Sequence, residues 1–414
     1  GVETRELWKS YLPGARWFAA KGLAWRGFEL KALDWYAQGE VGVRSELAYV
    51  RLPERTEVYH LLVGYLPPGS AEPAALVGQT MLDGRLVDVV DAPGSAAAMR
   101  AFLRGIAQPG AVGVSWLGTP PSPDVPVSVF GGEQSNTSVN MGDLLLKLFR
   151  KLPQGRNLEA EMLRDLAESA VTPKLIGTIA TADREFDLGI FCERIPDATD
   201  GWSFATAAAA DGVAITAELR QLGSDLRDLH QLLAAVYGKS VVPAQQISGA
   251  MLERLSGACQ NLAELRPLAD GLGKVLRLPP GEIEIQRVHG DFHLGQVLRS
   301  ARGWTFIDFE GEPLKTLEER KAPDAVWRDV AGLTRSLDYA RFAHRDPSSA
   351  QAHQWFANSR RAFLDGYLGQ GGEPAALHAY EVDKAIYELV YETRNRPDWA
   401  NIPRRAVRDA AGAS

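Results

Sequence analysis

Thiols are nearly absent from this chain: Cys192 and Cys259 are its only cysteines in 414 residues. So sparse a pair builds neither a disulfide framework nor a cysteine-rich zinc site, and it suits a reducing compartment. Long apolar runs are missing as well, since no uncharged stretch reaches the length needed to span a bilayer. The opening "GVETRELWKSYLPGARWF" is charged and has no apolar centre, so no signal peptide is expected. An excess of positive charge is also lacking. Lys and Arg number 45 against 52 Asp and Glu, a net charge of −7. That balance argues against a general nucleic-acid or anionic-membrane binder and leaves only a local basic cleft open. Together these absences predict a soluble, cytoplasmic protein with neither a nucleic-acid nor a membrane partner.

What is present is an ordinary globular composition, 45% hydrophobic and 23% charged. The length exceeds what one compact core accommodates. Strand-like runs "FELKALDWY", "SELAYVRL" and "TEVYHLLVGYL" follow a short amphipathic helix at Leu7 to Leu12 and predict a small antiparallel sheet ending near "YLPPGSAEP". A helix over 94–107 and a Pro/Gly-rich stretch lead into "VSVFGGEQSNTSVNMGDLLLKLFRKL", which reads as a hairpin. The helix "GRNLEAEMLRDLAESA" has Asn157 as its cap, and "LGIFCERI" reads as a further strand. From about Trp202 helical periodicity dominates, interrupted by "EIQRVHGD" and "WTFIDFE", read as one short hairpin. The expected domains are 1–86, a β-rich cap; 87–195, a β-hairpin lobe with one key helix; and 196–414, a mostly helical lobe.

The segment "VHGDFHLGQVL" carries the chemistry. His289 and His293 are spaced as zinc ligands on a helix would be, but Gly290 and Gly295 and the strand-like approach disfavour a helix there. A polar turn between strands is the plain alternative. The pattern gains meaning with "FIDFEGEP", in which Asp308 follows an apolar strand as Asp291 is expected to. Phosphoryl transfer needs an aspartate to orient and deprotonate the attacking hydroxyl, a metal-binding aspartate, and an amide for a second metal contact. In a His-x-Asp-x-x-x-x-Asn arrangement followed by Asp-Phe-Gly, the equivalents are Asp291, Gln296 and Asp308. Lys147, inside "LLLKLF", is costly to bury unpaired. Glu161 on the next helix is its expected partner, with Glu159 competing. The hairpin turn around Ser135, Asn136 and Thr137 offers backbone amides to phosphates.

On these residues the sequence resembles the bacterial maltokinases, relatives of the aminoglycoside phosphotransferases. "VHGDFHLGQVL", "FIDFEGEP" and "WRDVAGLTRSLDYA" carry the likeness, and "RWFAAKG" resembles the N-terminal cap of that family. "GRNLEAE" is similar to a G-x-N-P-D-x-E segment, with Leu158 replacing Pro and Glu159 replacing Asp. "ERIPDATDGW" resembles the hinge, and "YELVYETRNRPDWANIP" the C-terminal signature. The resemblance implies an α+β, bilobal protein-kinase-like fold, with a β-rich N-lobe, a mostly helical C-lobe and an added cap. It also implies ATP- and Mg2+-dependent phosphorylation of the anomeric hydroxyl of maltose, giving maltose 1-phosphate for α-glucan synthesis, and association with enzymes of that pathway. Asp291 would then be the base, Gln296 and Asp308 the magnesium ligands, and Lys147 with Glu161 the phosphate anchor. Backbone at Glu193 to Ile195 would take the adenine.

The sugar would lie on the helix of the C-terminal signature. Glu388, Tyr391, Glu392 and Asn395 fall at i, i+3, i+4 and i+7 on one face, with Tyr387 and Arg394 beside it. A surface helix with i,i+4 pairs would show the same spacing. The resemblance favours Glu388, Tyr391, Glu392 and Arg394 as sugar contacts, with Trp399 as a wall or support and His293 beside the base. Two other functions compete: a kinase of another sugar or amino sugar such as glucosamine, and a catalytically inactive kinase-like binding protein.

Overall fold

The computed structural model describes residues 2–130, 135–153, 155–312 and 315–413. The chain divides into two compact units, Gly1–Ala167 with Pro173–Arg194, and Glu168–Thr172 with Ile195–Ser414.

In the first unit, α1 (Val2–Tyr11) precedes β1 (Gly27–Ala37), β2 (Gly42–Arg51), β3 (Thr56–Leu66), β4 (Leu76–Leu82) and β5 (Arg85–Asp91). These strands form one antiparallel sheet in the order β1-β2-β3-β5-β4. The sheet therefore does not end near residue 73 as expected. The β4–β5 hairpin extends it, turning at Asp83 and Gly84 with φ of 50° and 82°. An Asp-Gly pair at positive φ matches the right-handed twist of the flanking strands. The core holds Trp8, Leu12, Phe28, Tyr59 and Leu61, with Trp17 and Phe18 of "RWFAAKG" packed among them. The Tyr59 hydroxyl accepts from the Ala19 N–H at 3.2 Å and donates to Glu57 Oε1 at 2.6 Å, which ties that motif to β3.

Next come α2 (Ala96–Ile106), β6 (Val114–Trp116), β7 (Val127–Phe130), β8 (Asn136–Met141), β9 (Leu144–Phe149), β10 (Lys151–Leu152), α3 (Leu158–Asp165), β11 (Leu175–Ala180) and β12 (Asp187–Glu193). Their sheet runs β6-β11-β12-β9-β8-β7, so Lys147 sits on an interior strand, opposite Ser138 on one side and Ile190 on the other. One residue beyond β9 the chain changes sheets: β10 pairs with β3, Lys151 opposite Tyr59. The joint is Arg150, 1% exposed. Its guanidinium forks onto both carboxylate oxygens of Asp91 at 3.1 and 3.0 Å, and its Nε donates to Thr137 Oγ1 at 2.9 Å. It also lies 4.3 Å from the centre of the Trp17 ring. A buried guanidinium is tolerated because its charge and its donors are answered together.

The second unit contains β13 (Thr199–Asp200), α4 (Gly201–Asp211), α5 (Thr216–Tyr237), β14 (Lys239–Pro243), α6 (Ala244–Asn261), α7 (Ala269–Leu276) and β15 (Glu282–Gln286). They are followed by β16 (Val297–Ser300), β17 (Gly303–Phe306), α8 (Leu317–Lys321), α9 (Trp327–Arg341), α10 (Ala350–Leu368), α11 (Ala375–Asn395) and α12 (Asn401–Ala410). Helices α5 and α10 approach closely through two glycines. A Cβ on Gly223 would meet the Phe363 carbonyl oxygen at 2.0 Å, and one on Gly366 the Arg220 carbonyl oxygen at 1.9 Å. The expected short hairpin is corrected: β15 pairs with β14, and β17 pairs with β16. Asp291 accordingly lies in a loop rather than at a strand end, and β16 intervenes before Asp308. No helix among the described residues is long and apolar enough to cross a membrane. Cys192 is buried, Cys259 is half-buried, and both are free thiols.

Candidate active site

The loop between β15 and β16 is held from beneath by an acid that the sequence reading gave no role. Asp329, in the first turn of α9, is fully buried at 0% exposure. It accepts from the backbone N–H of His289 at 2.8 Å and of Gly290 at 3.0 Å, and from His230 Nε2 at 2.8 Å. Since His230 donates through Nε2, its Nδ1 accepts from the Tyr367 hydroxyl at 2.7 Å. Burial works against the Asp329 charge, but the His230 bond and the loop amides hold its pKa below the usual value. His289 adds a second brace. A carbonyl can only accept, so His289 Nε2 donates to the Ile307 oxygen at 2.8 Å, and its Nδ1 faces the Asp291 N–H at 3.4 Å. The loop carrying Asp291 is thereby fixed to the residue preceding Asp308.

Asp291 itself is half-buried. Its pKa is raised to about 6, chiefly by burial; His289 and Lys384 oppose the shift, and the carboxylates of Asp308 and Glu312 add to it by less. Lys384, on α11, is a charge near Asp291 to which the sequence reading gave no role. His293 Nε2 stands 3.9 Å from Asp291 Oδ2, and burial lowers its pKa to about 4, so the imidazole is neutral and forms no ion pair at neutral pH. Its Nδ1 accepts from the Gly295 N–H at 3.1 Å and caps the turn leading to Gln296. Gln296 Nε2 donates to Asp308 Oδ2 at 3.0 Å. Asp308 has φ of 64°, a left-handed conformation that a non-glycine residue adopts at a cost of about 1 kcal/mol or more. The strained backbone and the amide–carboxylate contact bring together oxygen-bearing groups of the kind that suits a hard divalent cation.

In the first unit, Lys147 Nζ lies 2.6 Å from Glu159 Oε2, and both side chains are largely buried. The carboxylate on the lysine is thus Glu159 rather than the expected Glu161. Two positions along a helix turn the side chain through about 200°, and the face toward β9 belongs to Glu159. Asn157 caps α3 as expected, its Oδ1 accepting from the Ala160 N–H at 3.1 Å. In the turn expected to cradle phosphates, Gly131 to Gln134 lie outside the described residues. Ser135 is exposed, Asn136 is buried, and the Thr137 hydroxyl is engaged by Arg150. At the expected hinge, the Glu193 N–H donates to the Lys174 oxygen and the Arg194 N–H to the Asp143 oxygen, at 2.9 and 2.8 Å.

The expected sugar helix is α11, and it divides in two. Glu392 is buried; its oxygens accept from the Tyr339 hydroxyl at 2.7 Å and from two Arg396 nitrogens at 2.8 Å each. It braces the helix, which replaces the expected sugar contact. Trp399 lies 6.2 Å from Tyr339 in a stacked arrangement and 4.5 Å from the Arg396 guanidinium carbon. Glu388 receives Arg335 Nε at 2.8 Å, and burial raises its pKa despite that partner. Tyr387 and Tyr391 are exposed and stacked, with centroids 6.4 Å apart and planes 17° from parallel. Arg394 is exposed.

The family described as "Phosphotransferase enzyme family" matches residues 127–380, and "Maltokinase N-terminal cap domain" matches residues 11–94. A glucosamine kinase of Mycolicibacterium smegmatis is 26% identical over 331 residues, 71% of this chain and 81% of that protein. A glucosamine kinase of Streptacidiphilus jiangxiensis is 26% identical over 324 residues, 67% of this chain and 72% of that protein. A solved glucosamine kinase in complex with glucosamine, ADP and inorganic phosphate superposes with a TM-score of 0.67 at 23% identity, covering 94% of this chain and 95% of that one. At that identity the likeness establishes the fold, an α+β kinase-like fold with an N-terminal cap. The family resemblance read from the sequence is borne out.

Proposed function

Because the chain belongs to the phosphotransferase enzyme family, we propose that it transfers the γ-phosphoryl group of ATP to a hydroxyl of a small sugar. The observation that carries this reading is the Asp291 loop: a braced carboxylate with a pKa raised to about 6, on the same unit as the Gln296–Asp308 pair. Asp291 accepts the proton of the attacking hydroxyl as its oxygen bonds to phosphorus and the bridging oxygen leaves with ADP. Gln296 and Asp308 would hold Mg2+, which neutralises phosphate charge when bound. Lys147, oriented by Glu159, binds phosphate oxygens, and backbone around Ser135 to Thr137 contributes amides. Carbonyls near Glu193 and the Ile195 N–H receive the adenine. Tyr391, Arg394 and the outer edge of Glu388 offer a stacking surface and polar contacts for the sugar, with His293 beside the base.

The two curated relatives support glucosamine as the first acceptor. Maltose is the second reading and rests on the cap match. Coupled measurement of ADP release with glucosamine, maltose and glucose tests both. Turnover on glucosamine alone would set maltose aside, turnover on maltose alone would do the reverse, and release no faster than ATP hydrolysis in water with every sugar would overturn the proposal.

A further inference from the structure

We propose that the first unit carries a second ligand site, for a phosphorylated small polyol, in the cavity between α3, β6, β11 and the turn into β12. The cavity encloses about 350 Å³ and is lined by Arg156, Arg164 and Arg184 together with Ser115 and Thr178. Neither Lys147 nor Glu159 lines it. Among the described residues, none of the three guanidiniums has an ion-pair partner. The one carboxylate in the wall, Asp187, is already engaged: its Oδ2 accepts the Asn157 N–H at 2.6 Å. All three arginines are exposed and line one cavity whose single carboxylate is committed elsewhere, so their guanidinium forks are available to a multiply charged anion.

The surrounding backbone is ordered for such a role. Arg184 sits at φ of 60° on a turn closed by the Thr181 N–H to the Phe186 oxygen and the Arg184 N–H to the Thr181 oxygen, each 2.9 Å. Thr181 Oγ1 also donates to Asp183 Oδ1 at 2.5 Å, which locks the same turn. Beside the cations, the hydroxyls of Ser115 and Thr178 have no protein hydrogen-bond partner among the described residues. They suit the hydroxyls of a polyol, while the guanidinium forks suit phosphate oxygens.

The site has a mechanical consequence. Arg164 belongs to α3, Arg156 immediately precedes its cap, and Arg184 belongs to the β11–β12 turn. A ligand bridging them clamps α3 against the sheet edge. The same short helix carries Glu159, 2.6 Å from Lys147. Occupancy therefore steadies the ion pair that presents Lys147, and it strengthens ATP binding; this last step rests on the proposed function.

Titration calorimetry on the full chain presaturated with ADP and Mg2+ tests the site, with glucose 6-phosphate and inorganic phosphate as probes. Glucose 6-phosphate is expected to bind at least tenfold more tightly than phosphate, and its affinity is expected to fall at least tenfold in the double variant R164Q/R184N. Asparagine keeps the left-handed backbone accessible at position 184, and unchanged ADP affinity shows that the variant is folded. No binding of either probe, or equal binding by wild type and variant, overturns the site; equal affinity for the two probes reassigns it to a bare anion and overturns the polyol. In steady-state assays, saturating glucose 6-phosphate is expected to lower the KM for ATP at least twofold in the wild type only. An unchanged KM overturns the coupling. Failure of the protein to turn over ATP would remove the functional reading and leave the calorimetric result standing.

Discussion

Asp329 is a carboxylate fully removed from water and Asp291 one partly removed, and their surroundings act on them in opposite directions. Asp329 receives three donors and holds its charge. Asp291 faces other carboxylates, and its pKa rises from 3.8 to about 6. Between those values the folded protein holds a proton that the unfolded chain has lost, so stability falls as pH rises from about 4 to 6. With a side chain 31% exposed, the cost at pH 7 is on the order of 1–2 kcal/mol. Asp291→Asn is therefore expected to raise the urea midpoint at pH 7 and to leave it unchanged at pH 4. The same variant is expected to lower kcat by about 10²–10⁴-fold, the range for loss of a general base. In the wild type, kcat/KM, which reports the free enzyme, should fall tenfold per pH unit below about 6. A flat profile from pH 5 to 8 would remove Asp291 from the base position.

At the scale of elements, α3 shows what the sequence contained and what went unread. Glu159 shares its stripe with Met162, Leu163 and Leu166 at i+3, i+4 and i+7, all buried, whereas Glu161 shares its stripe with Arg164, Asp165 and Glu168. Continuing the apolar face backwards through the helix would have identified Glu159. Accordingly, Glu159→Gln is expected to lower kcat/KM for ATP about 10–100-fold, the worth of a charge-assisted bond of roughly 1.5–3 kcal/mol. Glu161→Gln should change it less than about twofold, as surface substitutions usually do. The reverse ranking in steady-state kinetics would return the lysine to Glu161. The "HGD" loop and its partner Asp308 were legible because their residue types and spacing are set by chemistry. The pairing of β15 with β14 and the brace from Asp329 were not, since both join segments distant in the sequence and depend on which surfaces meet. The β4–β5 hairpin was legible in principle, from Asp83 and Gly84 between two alternating runs.

At the scale of the whole molecule, Arg150 shows how far a single residue reaches within its unit. It answers Asp91 and Trp17 on one side and Thr137, at the start of β8, on the other. Arg150→Met keeps the side-chain volume but leaves Asp91 buried without its cation, a loss of about 3–5 kcal/mol. The expected readout is a lower urea midpoint with an unchanged slope; an unchanged midpoint would show that Asp91 is solvated. Two chemically distinct tryptophan environments, Trp8 and Trp17, lie in the same sheet core and give that unfolding a fluorescence signal.

The strand that crosses from one sheet to the other also bears on how such chains can be recombined. The cap family matches residues 11–94, yet β10, at Lys151–Leu152, completes the sheet to which that segment belongs. A splice placed at residue 94 would therefore separate β3 from its borrowed neighbour and Asp91 from its counter-ion. Cap exchange between relatives should succeed only when Trp17, Asp91, Arg150 and the two residues of β10 travel as one inherited set, although more than fifty positions of sequence divide them.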